Sequence, residues 1–142
     1  MARLLTDDPN QLNDASWNVV RTPDQPQPKL ERALKQAEVA CRLMPDNGAL
    51  LNTLGVAQYR LGQFESAAKT LTRSAELNQK QSGEPDPVDL AFLAMAQHQL
   101  KQPDVARATL TRLRELMQKP PLKDNPEAQA FLREAETLID SK

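Results

Sequence analysis

The sequence predicts an all-α fold, a right-handed α-α superhelix of three helical hairpins with a further helix as a cap. Three observations predict it. Apolar residues recur at helical spacing along most of the chain, the segments they mark are short and come in pairs, and a central pattern returns downstream with a shift of 39, from Leu54 to Leu93. Self-similarity at such a period marks stacked units that bury a core only together. At 142 residues the chain is long enough for one core and too short for two ordinary ones, so residues 1–142 are read as a single domain.

The first hairpin, 9–45, is degenerate. Stepping back 39 positions from Leu54 lands on Ala15, inside Leu12-Asn-Asp-Ala15-Ser-Trp17-Asn-Val-Val20, which predicts its first helix. Thr22-Pro-Asp-Gln-Pro-Gln-Pro28 predicts an extended, exposed linker, because proline fixes φ and removes a donor. The second helix is clearer: Leu30, Ala33, Leu34, Ala37, Ala40 and Leu43 keep helical period, and Met44-Pro-Asp-Asn-Gly48 closes it.

The second hairpin spans 48–81. Leu51, Leu54, Gln58 and Leu61 follow helical spacing, and Gly62 stops that helix where a left-handed residue is cheapest. Phe64, Ala67, Ala68, Leu71, Ala75 and Leu77 form the apolar side of a helix running to about Asn78. The small residues permit close helix approach.

A loop from Gln79 to Pro87 follows, with Asp86 as N-cap and Pro87 in the first turn of the next helix. The third hairpin, 87–120, repeats the spacing with Leu90, Leu93, Ala96, Leu100, Ala106, Leu110, Leu113 and Leu116. Lys101 stands where the middle hairpin has its turn glycine and Pro103 opens the next helix, so a different turn is expected there. Asn125-Pro126-Glu127 then starts a capping helix over 125–140, with Ala128, Phe131, Leu132, Ala135, Leu138 and Ile139 on one stripe. Such a helix shields the apolar face of the last repeat.

Leu51, Leu54-Gly55, Tyr59 (one place late), Ala67 and Leu71 resemble the tetratricopeptide repeat, which recurs about every 34 residues. Gln79 replaces that family's closing proline, and Ala94 replaces the glycine of the third repeat. The resemblance covers roughly 9–140 and implies a protein or peptide partner held on a concave face lined by the first helix of each hairpin. The proline-rich first loop and the Pro-Asp-Gly-like junction are also similar to helical tails of large bacterial signalling proteins with serine/threonine kinase or WD40-type propeller domains. From that follows a second possibility, a structural spacer or self-association element in a longer signalling chain.

Charge is balanced, with 18 Lys and Arg against 19 Asp and Glu, so no net field draws the chain to nucleic acid or to an anionic membrane. The opening Met1-Ala-Arg-Leu-Leu5 runs at once into acidic residues and predicts neither a signal peptide nor a membrane span. A lone cysteine excludes an internal disulfide, and a cytoplasmic setting is expected.

Catalysis is not expected. Cys41 has no neighbouring base in the sequence, His98 is the single histidine, and the four glycines are scattered rather than gathered into a phosphate loop. Without a second imidazole or thiol, no transition-metal cluster of ordinary spacing is expected, and no cofactor.

The repeat register implies nine concave-face candidates: Asn13, Trp17, Asn52, Val56, Tyr59, Arg60, Met95, His98 and Gln99. Trp17 either meets a ligand or seals the end repeat, and Tyr59 either meets a ligand or packs between repeats. Asn52 has the donor and acceptor to bind a partner's backbone, or is merely solvated, whereas Arg60 reads first as a solvated charge. Met95 beside His98 suits an adaptable surface, although methionine is common in cores. Family members that bind Hsp70/Hsp90 tails carry a cationic carboxylate clamp. The matching positions here are Asn13, Trp17, Thr53, Val88 and Phe92, so such a tail is not the expected partner.

Overall fold

The structure is a computed structural model that describes residues 8–140; the opening residues 1–7 read above, and the tail 141–142, lie outside them. Among the described residues there are seven α-helices and no strand. They are α1 (Pro9–Val20), α2 (Gln27–Leu43), α3 (Gly48–Arg60), α4 (Phe64–Ser82), α5 (Pro87–Gln99), α6 (Pro103–Leu116) and α7 (Pro126–Ile139), with a 3-10 turn at Leu122–Asp124.

Side-chain caps start four of the helices. Asp8, Asn47, Asp86 and Asn125 accept from the backbone N–H of Asn10, Leu50, Val88 and Ala128 at 2.8–3.1 Å. Each such cap is worth about 1 kcal/mol. Helix α4 continues four residues past the expected Asn78 and stops at Gly83, whose φ of 86° is left-handed.

The turn of the third hairpin is not the different one expected. Gly62 (φ 81°) and Lys101 (φ 65°) both adopt the left-handed conformation. Each donates its N–H to the carbonyl three residues back, and the following residue donates five back, at 2.9–3.0 Å. The backbone pattern of the repeat holds even where a side chain makes it costly.

α1 pairs with α2, α3 with α4 and α5 with α6, and the hairpins stack through α2 on α3 and α4 on α5. Close approach within the middle hairpin requires Gly55: a Cβ there would lie 2.5 Å from Leu71 Cγ. The first helices α1, α3 and α5 stand side by side as an inner row. Helix α5 is buried without a break from Asp89 to Ala96. A helix packed on one layer exposes part of every turn, so unbroken burial demands neighbours all round.

The second and third hairpins are joined by a buried polar junction. Asn52 Nδ2 of α3 donates to Asp89 Oδ1 at 2.6 Å, and Asn78 Nδ2 of α4 donates to Asp89 Oδ2 at 2.8 Å. Ser74 Oγ, which accepts from Asn78 at 3.2 Å, donates to the Gly48 carbonyl at 2.9 Å. Burial pushes the Asp89 carboxyl up to about 6, more than the two amides pull it back, and the neighbouring Asp86 adds to the rise.

Two outcomes are expected. Lys101→Gly relieves a strained φ and raises the free energy of unfolding by about 1 kcal/mol, read from urea unfolding. A folded-state carboxyl titrating above its unfolded value favours folding fully below the unfolded pKa and loses that advantage as pH rises through about 6. Relative to Asp89→Asn, the stability of the native chain therefore falls between about pH 4 and pH 6; a constant difference would remove the buried carboxyl from the account.

Candidate functional site: the inner face and the helix across it

Helix α7 does more than cap the last hairpin. It packs more extensively on α5 than on α6, and its side chains reach α1 and α3 as well. Phe131 lies between Trp17 of α1 (centroids 5.9 Å, edge-to-face) and Phe92 of α5 (5.3 Å, edge-to-face). Phe92 continues to Tyr59 at 5.5 Å, and Tyr59 to Phe64 at 5.4 Å. The chain has one Trp, one Tyr and three Phe, so every aromatic residue belongs to this row. Offset and edge-on pairs of this kind add to plain area burial.

Arg60, at the end of α3, sits at the centre. Its side chain is only 6% exposed. Nε donates to the Val20 carbonyl at 2.9 Å, the guanidinium carbon stands 4.9 Å from the centre of the Phe92 ring, and both terminal nitrogens donate to the Glu134 carboxylate of α7. The sequence reading of Arg60 as a solvated charge is thus overturned: the repeat brings it against the end of α1, and α7 closes it off from water. A two-toothed arginine–carboxylate pair is both strong and directional.

Exposed ion pairs hold the two ends of α7, Arg21 with Glu127 and Arg114 with Glu136 and Asp140. Beside α7 a slot of about 740 Å³ stays open, floored by Tyr59 and Met95 and walled by Phe131, Glu134, Thr137 and Leu138, with Arg21 and Pro23 across from them. Burial pushes the Tyr59 phenol up, against the pull of a hydrogen bond from Gln99.

Of the nine candidates, Trp17, Tyr59, Arg60, Met95 and Gln99 gather around this slot or the aromatic row. The others fall elsewhere. Val56 is wholly buried in the core, and the Asn52 amide is engaged by Asp89, so neither is presented to a partner. His98 is half-buried at the end of α5. Asn13 is half-buried too, and its Oδ1 meets no hydrogen-bond donor among the described residues. Thr53 and Phe92 of the compared clamp positions are buried. Phe131, Glu134 and Leu138 of α7 were passed over as contacts; the apolar stripe of α7 carried a signal for Phe131 and Leu138, and none marked Glu134.

Cys41 is half-buried away from the slot, and burial pushes its thiol up to about 11, which favours the protonated form at neutral pH. Among the described residues no helix is long and apolar enough to cross a membrane.

No family model and no curated protein matches the sequence. Solved structures do match the fold. A T3SS complex from Aeromonas hydrophila aligns with a TM-score of 0.68 at 22% identity, over 96% of this chain and 86% of that one. PcrH in complex with the chaperone binding region of PopD aligns at 0.68 and 21%, over 99% and 96%. The type III secretion translocator chaperone SycD of Yersinia enterocolitica aligns at 0.67 and 19%, over 94% and 87%. The likeness is one of fold. It extends over nearly the whole chain, α7 included, and places this protein among helical-hairpin superhelices.

The holding of α7 is expected to divide by burial. In urea unfolding, Phe131→Ala costs about 3–5 kcal/mol. Glu134→Ala, which strands a buried guanidinium, costs about 3 kcal/mol, and Glu127→Ala at the exposed end costs less than about 1 kcal/mol. Equal losses for the two glutamates would mean that surface charge, not the buried pair, holds the helix.

Proposed function

We propose that this protein holds a segment of another protein on its inner face, as a chaperone-like receptor, and that it works by binding rather than catalysis. The observation that carries the reading is the slot beside α7. It is concave, it lies over α3 and α5, and it presents the partly covered Tyr59 and Leu138 to an apolar side chain, with Met95 and Phe131 packed beneath and Arg21 and Glu134 at its rim. A few apolar positions rimmed by charge suit a short amphipathic segment.

PcrH, whose structure is similar over almost its whole length, was solved with the chaperone binding region of PopD. By that analogy the partner is a protein that must be kept bound before it is handed on, in a bacterial cytoplasm. SycD is a type III secretion translocator chaperone and PcrH was solved with a chaperone binding region, so the tail of a kinase or propeller protein, and with it a spacer role, is the less favoured setting. Neither a nucleic acid, a membrane nor an Hsp70/Hsp90 tail is the partner in this proposal.

The test uses a displayed peptide library selected on the immobilised full-length chain, with affinities then measured by calorimetry. Thr137→Trp, an exposed wall residue enlarged, is expected to fill the slot and weaken the selected peptides about tenfold or more, a change of at least about 1.4 kcal/mol. Peptides bound equally well by the filled variant would place the binding surface elsewhere and sink the proposal.

A further inference from the structure

We infer that α7 is an exchangeable occupant of the inner face, and that the segment it gives way to repeats its chemistry: a helix bearing an aromatic residue and, three residues later, a carboxylate. This rests on the receptor reading above and specifies its partner. The pair being copied is Phe131 and Glu134, which share one side of α7 because i and i+3 are neighbours on a helix.

The inner face is built to receive that pair. Trp17 and Phe92 present an aromatic notch, filled by Phe131. Next to it, Arg60 has its uncharged partners from the repeat stack, the Val20 carbonyl and the Phe92 ring, while the carboxylate it meets comes from α7. A segment with the aromatic residue but no carboxylate would leave the guanidinium covered and unpaired, which selects against it.

α7 is also placed to yield. It is the one described helix that is not paired into a hairpin, so its departure breaks no repeat. Its end contacts are exposed ion pairs, which hold weakly in water. The slot beside it leaves Tyr59 and Leu138 only partly covered, a foothold from which a second segment can start. Tethered through residues 117–125, α7 competes at an effective concentration on the order of millimolar, and the partner's apparent affinity is lowered accordingly.

The experiment uses the full-length chain and a synthetic peptide with the sequence of residues 126–139. Binding is followed by calorimetry and by hydrogen exchange of the α7 amides, resolved by mass spectrometry. Native chain should bind the peptide weakly. Glu134→Gln and the Phe131→Ala/Glu134→Gln chain, each verified as helical by circular dichroism, should bind it about tenfold or more tightly, with their own α7 losing protection while α3 and α5 keep theirs. A peptide carrying both substitutions should lose that gain. Binding with α7 still protected, or no tighter binding by either loosened chain, would overturn the exchange and leave the receptor reading to the slot-filling test.

Discussion

A guanidinium taken out of water must be matched by charge and hydrogen bonds where it stands, and in this protein Arg60 sets that condition for the whole inner face. The repeat stack supplies a carbonyl and an aromatic ring, and neither cancels a positive charge. Only when α7 brings Glu134 across does the burial become tolerable. The same helix that covers Arg60 thus brings its counter-charge, and Phe131 of that helix lies against Phe92 of the buried α5.

Much of the fold was legible because the punctuation is local. Asp86-Pro87 and Asn125-Pro126 act through the first turn of their helices, and Gly62 through its own φ. Lys101 misled because its residue type argues against a left-handed turn, while the packing of α5 on α6 requires one. Tertiary structure overrode local preference there.

The site was legible only in part. Tyr59, Arg60 and Met95 emerged from repeat register, but register cannot say whether an inner face is open. The sign that it is covered lay in Leu90-Ala-Phe-Leu-Ala-Met-Ala96, apolar on every side where a repeat helix facing water would alternate. Asn52 was misjudged for a related reason. An amide reads as a surface group until a buried carboxylate 37 positions away is known to need it, and that pairing exists only once the second and third hairpins have stacked.

The row of rings has an optical consequence. Trp17 is the chain's single indole and Tyr59 its single phenol, with two phenylalanine rings between them along the row, one of them carried by α7. Indole emission depends on what lies against the ring, so any event that shifts α7 registers at Trp17 without a label. The molecule carries an intrinsic gauge of whether its own groove is filled.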